Sequence, residues 1–410
     1  MVVYYARPED WIPGLAVLPL AKITAILALL ALIFSVRYMR QRLPREALLL
    51  VLLIVQLFLA SMVSPVWRGG ALQITIDFSK VLILVIVMAM AVDTAQRLRR
   101  LIFIQAASIV VIAAVAVLKG RLLVGRLEGM LGGNYSNPND LALSIVISLP
   151  LCLALLFLSR SSVGKTAWAF GMLVMTYAVL LTASRGGFLS LLVVAAACLW
   201  EFAIRGRRRY LLVLVALVGA LLWNSSGTML YERLDGTFDP RSNVASAYGS
   251  SQQRQQVLWR SIEVTEEHPL FGVGPGNFQV LSGSWHATHN SFTQMSSEGG
   301  VPAFILYALI LCNGFANLWS IERLTRGERQ SNVLARALKA SLAGYVVGSL
   351  FASTAYEFFP YILVAYTSAL FLIAKKSVSS SKGHESVSHT LPEKEIHADT
   401  RRAELSWYSS

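Results

Sequence analysis

The stretch Thr288-His289-Asn290-Ser291-Phe292-Thr293-Gln294-Met295-Ser296-Ser297-Glu298-Gly299-Gly300-Val301-Pro302 stands where a long polar segment gives way to the apolar run Ala303–Leu318. A His-Asn pair, a series of hydroxyl and amide side chains and then Glu-Gly-Gly are costly residues to place at a membrane boundary. Neutral imidazole titrates at about 6.5, so His289 can exchange a proton near neutral pH. His289 is therefore the candidate catalytic base, at the outer face of a membrane enzyme.

Composition supports the membrane reading. Hydrophobic residues make up 55% of the 410 and charged residues 14%, with a mean hydropathy of +0.57. Soluble domains carry about a quarter charged residues, so the chain is expected to cross a bilayer repeatedly. The net charge of +13 is then assigned to loops on the cytoplasmic side rather than to nucleic-acid binding. Cys152, Cys198 and Cys312 fall in apolar runs, which predicts neither a disulfide framework nor a Cys-based metal site. Met1–Asp10 lacks the basic, apolar and small-residue sections of a cleaved signal peptide.

Apolar runs of spanning or nearly spanning length fall at 12–36, 47–66, 72–92, 101–118, 141–158, 166–183, 187–204, 210–226, 301–319, 340–356 and 358–374. The expected fold is an all-α, polytopic transmembrane helix bundle of about 11 spans, within a range of about 10–12. Alternate connectors are basic: 37–46, 93–100, 159–165, 205–209 (Arg-Gly-Arg-Arg-Arg) and 320–339. The connector 119–128, with Lys119, Arg121 and Arg126, is the exception on the other side. This pattern places 227–300 outside as one large, partly helical loop, and 375–410 inside as a disordered polar tail. The chain divides into helices over 1–226, the loop over 227–300, further helices over 301–374, and the tail.

Three groups of residues could carry chemistry. Thr182-Ala183-Ser184-Arg185-Gly186-Gly187 interrupts the apolar stretch 166–204, so Arg185 sits on a tight outer turn. An Arg at membrane depth costs about 2.5–3.5 kcal/mol on insertion scales and faces a partner or a polar cavity, or else snorkels from a helix end. A helix is predicted over Gln252–Glu267, capped by Ser250 or Ser251 and ended by His268-Pro269. With Arg254 at 0° and about 100° per residue, Val264, Val257, Leu258 and Ile262 fall near 280°, 300°, 40° and 80°. That puts Arg254 in the middle of the apolar arc, with Glu298 or a phosphate as its counter-charge, while Arg260 near 240° lies off the arc. Asn137 and Asn139, in Asn-Pro-Asn-Asp, either cap the helix from 141 or form an outer binding loop. Gly272-Val273-Gly274-Pro275-Gly276-Asn277 reads as a turn rather than a phosphate loop, having no strand before it. His286 and His289 are three apart but gain no evident third ligand, so neither metal nor cofactor is expected.

The order Thr182-x-Ser184-Arg185-Gly186, Arg254 before Leu258-Trp259, His268-Pro269-x-x-Gly272-x-Gly274-x-Gly276-x-Phe278, His289-Asn290 and Glu298-x-Gly300 resembles the O-antigen ligases and related polysaccharide polymerases. Gly133 and Asn137-Pro138-Asn139 add to the likeness, which covers roughly 120–320. The resemblance implies transfer of a glycan from undecaprenyl diphosphate to lipid A–core oligosaccharide, or to another glycan acceptor, at the periplasmic face of the bacterial inner membrane. It implies His289 as base and Arg185 and Arg254 as diphosphate ligands, with Asn290, Glu298, Asn137 and Asn139 as further substrate-binding candidates. Polymerization and protein O-glycosylation share this donor chemistry. A lipid-linked glycan transporter is the alternative of another class.

Overall fold

The computed structural model describes residues 2–6, isolated positions between 14 and 30, 43–123, 126–129, 135, 137–221, 224, 245–283, 285–325 and 328–388. Its first helices are α1 (Val2–Ala6), α2 (Arg45–Val63), α3 (Arg68–Ala91) and α4 (Ala95–Lys119). A short antiparallel hairpin, β1 (Leu122–Leu123) and β2 (Arg126–Leu127), follows. Next come α5 (Pro138–Leu158), α6 (Ser162–Leu181), α7 (Arg185–Cys198, continued by a π-helical turn, Leu199–Ile204) and α8 (Tyr210–Leu221). The chain continues with α9 (Ala245–Glu267), α10 (Phe278–Leu281), α11 (Ser291–Leu324), α12 (Arg329–Gly348) and α13 (Phe358–Ser388).

The protein is an all-α polytopic bundle. Among the described residues, eight helices are long and apolar enough to cross a membrane: α2 to α6, α7 with its π turn, α11 and α13. They stand at eight of the expected spans. The run 12–36 lies largely outside the described residues, as do Arg37, Arg40 and Arg42, Gly133, most of the loop before 245, and 389–410. At 210–226 the helix is short, ending at Leu221. Helix α13 runs to Ser388, so the segment from 375 that was expected to be disordered begins as helix.

The expected span 340–356 is corrected. Helix α12 begins at Arg329 and stops at Gly348, leaving Ser349–Glu357 as an irregular segment. Ser349, Ser353, Thr354 and Glu357 carry polar groups that a continuous lipid-facing helix would strand, and the apolar average over 340–356 hid them. The connector expected over 320–339 is largely helical. Arg336 and Lys339 lie on α12, where they face Glu201 of the π turn at 3.9 and 3.1 Å. Lys339 also reaches Glu322 at 2.6 Å, and Arg205 pairs with both Glu201 and Glu322. Glu201 is only 5% exposed, so these cations keep a buried carboxylate from being stranded at that end of the bundle.

Helix α5 forms the middle of the bundle: 83% of its most apolar stretch is buried, against 28% for α6. It packs on α4, α6, α7 and α12, whereas α11 packs on α2, α9 and α13.

One break shapes the end that carries the polar loops. Helix α11 kinks at Gly300, whose φ of 79° is left-handed. A straight helix would pair the Ser297, Glu298 and Gly299 carbonyls with the N–H groups four residues on. Pro302 has no N–H for Glu298, and the kink turns the Val301 N–H towards the Pro269 carbonyl at 2.8 Å. The Gly-rich turn fills the gap, with the Val273 N–H donating to the Ser297 carbonyl and the Gly274 N–H to the Glu298 carbonyl, at 2.9 and 2.8 Å. Gln56 of α2 donates from Nε2 to the Gly299 and Leu270 carbonyls. Gly272-x-Gly274-x-Gly276 is thus the turn that the sequence suggests, with all three glycines at positive φ.

A Cβ at Gly300 would stand 2.4 Å from the Leu270 carbonyl oxygen, in a backbone that L-residues rarely adopt. Gly300→Ala is expected to abolish folded protein. Gly219→Ala, with nothing within 4 Å, should leave the melting temperature unchanged in detergent. Gln56→Ala removes the side-chain donor from two carbonyls, one of them partly buried, and should lower the melting temperature without preventing folding.

Candidate active site

Arg185 is the first residue of α7. The turn before it is made by three residues. Ala183 takes a left-handed φ of 46°, and the Ser184 hydroxyl oxygen accepts the Gly187 N–H as N-cap. Asn139 holds this turn from the side: its Oδ1 accepts from Ser184 Oγ at 2.8 Å and from Arg126 Nη2 at 2.9 Å. Arg126 also donates from Nε to the Thr182 carbonyl. Gly186 and Gly187 let α7 approach its neighbours, since Cβ atoms there would meet Phe351 and Ala142 at 2.5 and 2.6 Å.

The second cation comes from α9. This helix begins at Ala245, so Ser250 and Ser251 lie inside it instead of capping it. Its buried face is Val257, Ser261 and Val264. That face is centred near 300° on the helical wheel with Arg254 at 0°, so Arg254 lies on one shoulder and not at the centre. Arg260 occupies the other shoulder, donating to the Leu281 carbonyl and pairing with Glu263 and Glu267 at 3.1 Å. Leu258 and Ile262 are only partly buried, which is why counting them as core shifted the expected arc.

His289 stands immediately before α11, whose N-cap is Asn290; the Asn290 Oδ1 accepts the N–H groups of Phe292 and Thr293. His289 has a φ of 52°, a left-handed conformation that costs a non-glycine residue about 1–3 kcal/mol. Burial, then the Arg254 charge, then His286 push its imidazole down to about 4, so the ring is neutral at physiological pH. The His286 ring lies 6.4 Å from it, and Gln253 faces His286 Nδ1.

These parts enclose a cavity of about 320 Å³ lined by Arg185, Arg254, Gln255, Leu258, Thr288, His289, Asn290, Leu350 and Phe351. Two helix N-termini, those of α7 and α11, thus face one space with two guanidiniums and a neutral imidazole. Helix dipoles and guanidinium forks both favour an anion there.

The structure therefore brings together four of the seven residues singled out from sequence: Arg185, Arg254, His289 and Asn290. Asn139 acts one layer back, through Ser184. Asn137 is the N-cap of α5, accepting the Asn139 N–H, and does not line the cavity. Nor does Glu298, whose carboxylate faces the Gly276 and Phe278 N–H groups and braces the Gly-rich turn instead of standing opposite Arg254. Gln255, Leu350 and Phe351 were missed. The last two belong to the segment hidden in the expected span 340–356, where the cluster Ser-Thr-Ala-Tyr-Glu at 353–357 was the available signal.

Fold and cavity define a multi-pass membrane protein with an anion-attracting pocket at one end of its bundle. Residues 170–308 match the family model described as O-antigen ligase, which supports the O-antigen ligase-like family and, at that level, ligase- or polymerase-type glycosyltransferase function. The matched segment contains Arg185, Arg254 and His289. No curated protein matches the chain. A solved structure described as "Structural coordination of polymerization and crosslinking by a peptidoglycan synthase complex" is similar at 17% identity and a TM-score of 0.43. The likeness covers 83% of this chain and 98% of that one, and is too distant to assign fold or function.

Arg185→Lys keeps the charge but loses the planar fork. Glycan transfer is expected to fall roughly 10²–10³-fold at unchanged expression and melting temperature. Arg260→Lys, on the opposite shoulder of α9, should stay near wild type. Equal losses would mean that the cavity does not single out Arg185.

Proposed function

We propose that the protein transfers a glycan from undecaprenyl diphosphate to a sugar hydroxyl, lipid A–core oligosaccharide being the acceptor in the ligase reaction. The observation that carries this reading is the single cavity shared by Arg185, Arg254 and His289. A sugar hydroxyl is a weak nucleophile and needs a base as it attacks. The neutral His289 ring takes the hydroxyl proton while the oxygen bonds to the anomeric carbon. The bond from that carbon to the diphosphate breaks, and the electron pair leaves with the diphosphate. Arg185 and Arg254 bind the departing anion, whose charge they match without changing protonation. A single displacement of this kind inverts the anomeric centre.

The alternating basic connectors support a periplasmic orientation for this end of the bundle. A position at the end of the bundle also favours transfer over transport, because carriers bind their cargo near the midplane. Ligase, polymerase and protein-glycosylating reactions differ in acceptor. Supplying purified protein with a lipid-linked glycan and each acceptor in turn separates them, and product with lipid A–core alone defines a ligase.

His289→Ala should abolish transfer while donor binding persists through the arginines, and His286→Ala should keep most activity. The pH dependence follows from the lowered imidazole. Protonated His289 cannot accept a proton, and the free protein holds it neutral down to about pH 4, so kcat/KM for the donor should stay level between pH 7 and 5. Bound diphosphate offsets the Arg254 charge and raises the imidazole pKa, so kcat should fall at a higher pH than kcat/KM. Wild-type turnover in a folded, donor-binding His289→Ala protein would remove the base from this mechanism.

A further inference from the structure

The left-handed main chain at His289 is held by a segment that the sequence motifs leave out. The Ser353 Oγ, from the irregular stretch between α12 and α13, accepts the His289 N–H at 2.8 Å. It also lies 3.0 Å from Thr288 Oγ1. The Thr288 hydroxyl donates its one proton to the Asn290 carbonyl at 2.9 Å, so Ser353 must be the donor in the Ser353–Thr288 bond. Ser353 thereby holds the strained residue at its own N–H and at the side chain before it, while Thr288 reaches past it to the Asn290 carbonyl.

A second set of hydroxyls fixes the stretch that carries Ser353. The Ser291 hydroxyl donates to the Ala352 carbonyl at 2.7 Å and accepts the Thr354 N–H at 2.9 Å. With the Ser291 proton spent, the 3.0 Å bond to Thr354 Oγ1 takes its proton from Thr354. Thr354 Oγ1 then accepts from Tyr345, which accepts from Tyr307, both tyrosines being fully buried. The Gln294 Oε1 accepts the Ala355 N–H, and the Ser349 carbonyl accepts the Ser291 N–H. Bonds in both directions thus tie residues 352–355 to the first turn of α11.

We propose that Ser353 is a positioning residue for His289, holding its main chain in the left-handed conformation that places the imidazole in the cavity with Arg185 and Arg254. The proposal rests on His289 being the base. Ser353 does not line the cavity and acts on it through the His289 N–H and the Thr288 hydroxyl. A base displaced by about 1 Å can lose on the order of 10²-fold in rate while the ligands of the leaving group remain in place.

The test uses the full-length protein in detergent or nanodiscs with a lipid-linked glycan donor. Ser353→Ala is expected to lower kcat roughly 10–100-fold with donor affinity and melting temperature unchanged. Ser353→Thr, which restores the hydroxyl, should recover most of the activity. Hydrogen exchange read on the peptide spanning His289 should quicken in Ser353→Ala and return to the wild-type rate in Ser353→Thr. If Ser353→Ala does not fold, Ser353→Cys, of similar volume and with a weak acceptor, carries the same comparison. Wild-type kcat with unchanged exchange would overturn the proposal, as would parallel loss of donor binding and turnover, which marks a general collapse of the pocket. Should His289→Ala itself prove active, the base assignment fails. The exchange measurement still reports whether Ser353 holds that backbone.

Discussion

A helix that breaks inside a membrane protein must find new partners for every backbone group that the break sets free, because lipid offers none. Helix α11 breaks at Gly300, and the rest of the polar end is arranged around that requirement. The Ser297, Glu298 and Gly299 carbonyls are met by Val273, Gly274 and Gln56, and the Val301 N–H by Pro269. These bonds tie α11 to α2 and to the turn that ends α9. The same contacts therefore fix α9 against α11, which brings Arg254 beside His289. A local defect in one helix thus sets the geometry of a site assembled from segments far apart in sequence.

Electrostatics follows from this placement. Two helix N-termini, Arg185 and Arg254 make the cavity attractive to an anion. Burial, and after it the Arg254 charge, keep His289 neutral. The guanidinium that draws an anion into the cavity thus also disfavours a proton on the neighbouring imidazole. The opposite end of the bundle has a different balance. There the buried Glu201 and the half-buried Glu322 are paired with Arg205, Arg336 and Lys339, so the charges neutralise one another at short range.

Much of this was legible in the sequence. Long apolar runs and Arg-rich connectors outline the helices, and the tight turn at 182–184 is apparent from an Arg-Gly-Gly inside an apolar stretch. The chemistry of Arg185, Arg254, His289 and Asn290 marks them in the sequence, and all four line one cavity. What failed were inferences needing distant partners. Glu298 reads as a counter-charge until its carboxylate is seen beside the Gly276 and Phe278 amides, outside the cavity. The wheel for α9 placed Arg254 at the centre of an apolar arc, because it could not show that packing is confined to Val257, Ser261 and Val264. The segment 349–357 was absorbed into a span because window hydropathy averages over its hydroxyls. Those hydroxyls matter only through bonds to 288–294 across the fold.

In the proposed reaction the diphosphate of a lipid-linked donor sits between Arg185 and Arg254 with the anomeric carbon facing His289. A structure of the purified protein in lipid nanodiscs with a non-transferable undecaprenyl diphosphate glycan tests this most directly. The account predicts density for the two phosphates against both guanidiniums, and the first sugar within reach of the imidazole. Phosphates bound at the other end of the bundle, near Arg205 and Lys339, would contradict it.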